Sequence, residues 1–279
     1  MLPIQKVVIF DTTMRDGELT PGVTMSLQEK ICLAQLLEKM QVDVIEVSYP
    51  GNSQKDFDEL LSISKLIKES IVCGLARTNK EEILKVAEAI KPASRERINT
   101  YTLVNIKDKS KINQKQVLEE VSAMVSLARN HCGDVEWNAF DATRSEPDFL
   151  CKVLETAIRG GATTICIPDS LGVAHPEQFS QLIHMIYHRV PNIDQAIIAV
   201  HCHNDLGLAV ENSIFALEYG IRQIECSING LGARKGNADL EKVVTEILHH
   251  KKYQISIDTS LMDTASVLVS EITGIEKRD

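Results

Sequence analysis

The stretch Ala196-Ile197-Ile198-Ala199-Val200-His201-Cys202-His203-Asn204-Asp205-Leu206-Gly207 sets an apolar run before two histidines spaced i and i+2. Successive side chains of a strand alternate between its faces, so His201 and His203 share one face while Cys202 takes the other. The run reads as a buried parallel strand, and residues 208–219 after it carry the apolar spacing of a helix. A strand ending in paired imidazoles and followed by a helix is one βα unit with a polar rim. The pair suits a divalent cation, and it equally suits two histidines that merely lie near a strand end. The rest of the chain has to decide between them.

The same alternation recurs along the chain. Strands are expected at 6–11, 44–48, 71–76, 98–103, 135–139, 163–167, 196–201 and 223–228, with helices at 27–40, 54–69, 80–90, 114–130, 146–160, 176–189, 208–219 and 238–249. Ser26 and Glu29 form a capping-box pair at the start of the first helix, and Gly160-Gly161 suits a helix end. Eight repeats, with no G-x-G-x-x-G after any strand, predict an α/β fold closed as a (β/α)8 TIM barrel over residues 1–250. Residues 251–279 are expected as a helical tail. In it Leu261, Met262, Ala265, Leu268, Val269 and Ile272 fall at helical spacing, and no regulatory domain is expected after it.

Composition narrows the function. Hydrophobic residues make up 44% of the 279, charged residues 25% and aromatics 4%, the balance of an ordinary globular protein. No long uncharged apolar run occurs and residues 1–6 have no signal-peptide layout, so the expectation is a cytoplasmic protein without a membrane partner. A formal charge of −9 lacks the basic footprint that a nucleic-acid partner requires. Seven cysteines, an odd number without a C-x-x-C pair, read as reduced thiols.

Barrel enzymes place their chemistry where the strands end. The first strand runs into Asp11-Thr12-Thr13-Met14-Arg15-Asp16-Gly17-Glu18, the third into Arg77, the fifth into Asp141-Ala142-Thr143-Arg144 and the sixth into Asp169-Ser170. The seventh carries the histidines, and the eighth runs into Asn229-Gly230-Leu231-Gly232-Ala233-Arg234-Lys235-Gly236-Asn237. A carboxylate, two imidazoles and an amide oxygen on one rim form a hard-to-borderline divalent site with open positions. Other readings stand beside this one. Asp16 before Gly17 suits a plain turn, Asn237 suits the cap of the eighth helix, Arg15 and Arg77 suit solvated charges, and the glycine cluster suits a flexible loop.

Taken together and in order, the Asp11–Glu18 stretch, Asp141-Ala142-Thr143-Arg144-Ser145-Glu146, Ile167-Pro168-Asp169-Ser170-Leu171-Gly172, His201–Gly207 and Asn229-Gly230-Leu231-Gly232 with Gly236-Asn237 resemble a known family. It is the 2-isopropylmalate synthase/homocitrate synthase branch of the metal-dependent aldol-type TIM barrels, which also contains 3-hydroxy-3-methylglutaryl-CoA lyase. The likeness covers nearly the whole chain. It implies that Asp16, His201, His203 and Asn237 bind a divalent metal (Mg, Mn or Zn) and that Arg15 polarises a substrate carbonyl, with Arg15 and Asp16 as the catalytic residues. Arg15, Arg77, Asn99, Asn138 and Ser170 are expected to face substrate. The implied reaction is a Claisen-type condensation of acetyl-CoA with a 2-oxo acid. A carbon–carbon lyase and a non-catalytic barrel that binds a small acid are the alternatives.

The substrate side departs from the family pattern. Leu19 stands where most synthases have Gln, Asn99 where they have His, Asn138 and Phe140 where they have Ser and Glu, Ser170 where they have Thr, and Ala233 where they have Glu. An altered 2-oxo acid specificity is the expectation. Family synthases also continue past the segment matching residues 266–275, so feedback control is not expected of these residues, and a homodimer or partner subunit is expected to supply groups near the acetyl-CoA. The lyase's loop cysteine after the eighth strand is absent; the loop reads Gly232-Ala233-Arg234-Lys235.

Overall fold

The computed structural model describes residues 5–106 and 113–275. Residues 1–4 of the N-terminal stretch and 276–279 of the expected tail lie outside them.

Eight parallel strands close into a barrel in sequence order: β1 (Val8–Asp11), β2 (Val44–Ser48), β3 (Ile71–Arg77), β4 (Glu96–Leu103), β5 (Val135–Phe140), β6 (Thr164–Asp169), β7 (Ile197–Cys202) and β8 (Gln223–Cys226). β8 pairs with β1 to complete the ring. Each strand leads to a helix packed outside: α1 (Leu27–Lys39), α2 (Gln54–Leu66), α3 (Lys80–Ile90), α4 (Gln114–His131), α5 (Pro147–Gly160), α6 (Pro176–Arg189), α7 (Ala209–Leu217) and α8 (Leu240–His249). The (β/α)8 barrel expected from the alternation is the fold observed. The expected capping box forms at α1, where Ser26 Oγ accepts from the Glu29 amide and the Glu29 carboxylate accepts from the Ser26 amide. Gly161 closes α5 in the left-handed conformation expected of the glycine pair, at φ 108°.

The tail differs in one detail. Tyr253–Gln254 forms a short parallel bridge with Gln5–Lys6 beneath the barrel, which no periodicity announced. From there α9 (Met262–Thr273) packs against α1 and the turn after β8.

The apolar core lies between the barrel wall and the helices, where Trp137, Phe149, Phe179 and Leu33 are fully enclosed. The barrel interior is mostly polar. Arg97 of β4 donates through Nη1 to Glu136 of β5 and to Gln223 of β8, both at 2.8 Å, which ties three strands into a charged floor. One step of the two-residue repeat nearer the C-terminal ends come Asn99, Asn138 and Glu225, and one step beyond these come Tyr101 and Phe140. Alternation along parallel strands thus stacks interior side chains in layers, with the outermost layers facing the loops. All seven cysteines are free thiols, six of them buried and Cys32 exposed.

Candidate metal centre

At the C-terminal end of the barrel, ligand atoms of Asp16, His201 and His203 lie within 4.8 Å of one another, and all three residues are buried. The neighbours of each ring settle its orientation. His201 Nδ1 is 2.8 Å from Glu225 Oε2, and His203 Nδ1 is 3.3 Å from the Gly236 carbonyl. With each Nδ1–H donated to an oxygen, each ring presents its Nε2 lone pair to the centre, the arrangement that metal-bound histidines adopt. Burial lowers the basicity of both rings, with His203 down to about 4, and the neutral form is the one that ligates. Burial alone would raise Asp16, but Arg15 and the two histidines outweigh it and hold the carboxyl at about 2.

Asn237 completes the set. Its Nδ2 donates to Asp16 Oδ2 at 2.7 Å and to the Leu231 carbonyl at 3.0 Å, while its Oδ1 is buried without a hydrogen-bond partner. A buried amide oxygen left bare costs about 1–3 kcal/mol, and a cation held with Asp16, His201 and His203 would satisfy it. Two imidazoles, a carboxylate and an amide oxygen are a donor set that Mg, Mn or Zn accepts, so the residues fit such an ion. Asn237 does not cap α8; Asp239 does, accepting from the Lys242 amide. Two glycines shape this loop. A Cβ on Gly232 would come within 2.5 Å of Asn237 Nδ2, and Gly236, at φ 96°, would press one 2.0 Å from the Gly230 carbonyl oxygen.

Arg15 lies beside the triad. Its Nη1 donates to Asp16 Oδ1 and its Nε to Glu46 Oε2, each at 2.7 Å. Burial would lower its pKa, but Glu46 and Asp16 raise it, so the guanidinium stays charged. Glu46 also accepts from Thr12 Oγ1 at 2.6 Å and from Asn99 Nδ2 at 2.9 Å, and Asn99 Oδ1 accepts from Asn138 Nδ2 at 2.8 Å. A carboxylate only accepts, so Glu46 fixes the direction of the whole chain of amides.

These residues border a cavity of about 590 Å³. Of the residues expected to face substrate, Arg15, Asn99, Asn138 and Ser170 line it. Arg77 is the correction. It does not line the cavity, because Glu82 of α3 accepts from both its backbone amide and its side chain and holds the guanidinium outside, 62% exposed. Glu46 and Glu225 are the residues that sequence reasoning passed over. Each is a lone carboxylate within an apolar strand, Val44-Ile45-Glu46-Val47-Ser48 and Gln223-Ile224-Glu225-Cys226. Such a charge is stable inside only if it is paired, and that was the available signal.

The closed barrel, with a set of candidate cation ligands gathered at the C-terminal ends of its strands, has the layout of a (β/α)8 metal-centred enzyme. The chain belongs to the HMGL-like family, whose pattern matches residues 6–269, a family of divalent-metal-dependent enzymes. It is 50% identical over 274 residues to the 2-isopropylmalate synthase of Caulobacter vibrioides, covering 96% of this chain and 52% of that one. It is 48% identical over 275 residues to that of Rhodopseudomonas palustris, with the same coverage. The chain thus spans about half the length of these curated relatives. Among solved structures, hydroxymethylglutaryl-CoA lyase from Pseudomonas aeruginosa superposes with a TM-score of 0.82 at 20% identity, over 99% of this chain and 96% of that one, a likeness of fold. No helix of the described residues is long and apolar enough to cross a membrane.

Proposed function

We propose that this chain is the catalytic barrel of an acyltransferase of the 2-isopropylmalate synthase type, joining acetyl-CoA to a 2-oxo acid. The observation that carries the reading is the Asp16, His201 and His203 cluster with the bare Asn237 oxygen, set against Arg15 in a cavity, in a chain about half identical to named 2-isopropylmalate synthases. Asp16, His201, His203 and Asn237 would hold the cation, which when bound supplies Lewis-acid polarisation of the oxo acid's carbonyl and a grip on its carboxylate.

The chain's own residues do the rest. Arg15, fixed on Glu46 and Asp16, presents a permanent positive charge where the carbonyl oxygen gains negative charge as its carbon is attacked. Glu225 and the Gly236 carbonyl fix the tautomer and turn of both imidazoles, while burial keeps the rings neutral. Asn99, Asn138 and Ser170 border the space that receives the oxo acid. The methyl of acetyl-CoA gives up a proton and its carbon bonds to the carbonyl carbon, the carbonyl oxygen takes up a proton to become a hydroxyl, and water then cleaves the thioester to a carboxylic acid and the free CoA thiol. A second copy or a partner subunit belongs to this reading as the source of groups that act on acetyl-CoA.

The test is metal analysis of the purified protein, followed by measurement of free thiol released from acetyl-CoA with a panel of 2-oxo acids. Metal-dependent thiol release that His201→Ala abolishes is the expected result. Absence of thiol release from the metal-loaded protein, beside metal-dependent cleavage of a 3-hydroxy acyl-CoA, would overturn it in favour of a lyase.

A further inference from the structure

The cavity has two unlike sides. The cation ligands and Arg15 come from the loops after β1 and β8 and from β7, and in a closed ring of eight strands β1 and β8 stand opposite β5 and β4. The facing wall is therefore built by β4 and β5, whose rim-layer residues lining the cavity are Tyr101 and Phe140. Their ring centroids are 6.0 Å apart with the planes tilted by 57°, so the two rings pack on each other as one aromatic surface. Leu75 and Pro168 flank them from β3 and β6, and Leu19 overhangs from the loop after β1. Phe140 at this wall is 42% exposed, and Leu19, on the loop across the cavity, is 56% exposed.

An oxo acid held at the cation site by its carboxylate and keto oxygen turns those two oxygens toward the ligands. Its third carbon then points away from them, toward β4 and β5. Beyond the Asn99 and Asn138 amides, which are turned toward Glu46 and each other, the rim layer it meets there is aromatic. The two arginines of the described lining are already engaged: Arg15 with Glu46 and Asp16, and Arg234 by two hydrogen bonds to the Asp205 carboxylate, each 2.9 Å, and one to the Ser170 carbonyl. Glu18 and Asp56 on the same lining are acidic.

We infer that the 2-oxo acid of this site carries a bulky uncharged side chain, aromatic or long and branched, with Tyr101 and Phe140 as its specificity-determining residues. The inference rests on the 2-oxo acid reading proposed above. Phe140 selects by covering apolar surface, which discriminates roughly ten-fold or more per added group that reaches it. A distal carboxylate would instead lose its hydration against a hydrocarbon wall.

The experiment is calorimetric binding to the Mn-loaded protein of oxalate, 2-oxoisovalerate, 2-oxoglutarate and phenylpyruvate. Phenylpyruvate is expected to bind at least ten-fold more tightly than either of the other oxo acids. Phe140→Ala, a substitution at a half-exposed position, is expected to erase that preference and leave oxalate unchanged. Equal affinities, tightest binding by 2-oxoglutarate, or a preference that survives Phe140→Ala would overturn the inference and leave the proposed function standing. Failure of all four to bind would overturn both.

Discussion

Asn237 Oδ1 is the atom whose surroundings say most about the site, because it is buried and bare while the nitrogen of the same amide makes two hydrogen bonds. Asn237→Ala removes a proposed ligand and is expected to weaken Mn binding by ten-fold or more, read by calorimetry. Glu225→Gln removes no ligand. It changes what His201 Nδ1 meets, along with the contacts of Glu225 to Glu136 and Cys166, and supporting groups of this kind typically contribute 10- to 100-fold in metal affinity. A loss in that range with an unchanged urea midpoint is the expected result, and unaltered metal affinity would deny Glu225 its positioning role. At this scale the sequence was uneven. Asp16, His201, His203 and Asn237 were legible as candidates because each lies at the C-terminal end of a strand or on the loop after it and bears an atom able to ligate a cation. Glu46 and Glu225 were not, because a single charge within an apolar run carries no spacing and its partners come from strands distant in sequence. Arg77 is on the expected strand end, but Glu82, three residues into α3, draws it out of the cavity.

Among the elements, the loop carrying Asp16 is anchored from below by α1. Lys30 is fully enclosed, and its Nζ reaches Glu18 Oε2 at 2.6 Å and Glu59 Oε2 at 2.7 Å, linking that loop, α1 and α2. Removing Lys30 leaves buried Glu59 with only the half-exposed Lys55 at 3.3 Å, and breaking a buried pair in this way costs up to about 3–5 kcal/mol. Lys30→Ala should lower stability by about that amount in urea unfolding. Lys30→Met together with Glu59→Leu should recover much of it, and an equal loss in the double variant would refute the account. The pattern of apolar residues announced α1 but gave no hint that a lysine faces inward. Helical period assigns a face, and only the packed partner reveals the charge that makes such a face tolerable.

For the molecule as a whole, eight strand-then-helix repeats sufficed to read the barrel, because each unit is local and ring closure follows from their number. The bridge between Gln5–Lys6 and Tyr253–Gln254 escaped because two residues carry no period and the partners lie at opposite ends of the described chain. Global stability should also carry a pH signature from the end of β1. Burial raises the Asp11 carboxyl to about 7, against the opposing hydrogen bonds from Thr13. A raised carboxyl favours the protonated folded state, so its contribution is full below the unfolded value near 4 and is lost as pH rises through 7. The metal-free protein should therefore lose stability between about pH 4 and 7 more steeply than Asp11→Asn, as followed by thermal unfolding. Parallel pH profiles would contradict the assignment.

The course of α9 bears on how this protein can be instrumented. Asp258 meets the carbonyl of Met40 at the lower end of α1, whereas Ser266 and Ser270 hydrogen-bond Asn229 on the loop after β8, so the helix climbs about 18 Å from the floor of the barrel to its rim. A fluorophore on an engineered cysteine near Thr273 would therefore sit on the same side as the ligand-binding loops, while one near Gln5 would sit beneath the barrel. The first should respond to cation binding at the rim, and the second would serve as a built-in reference.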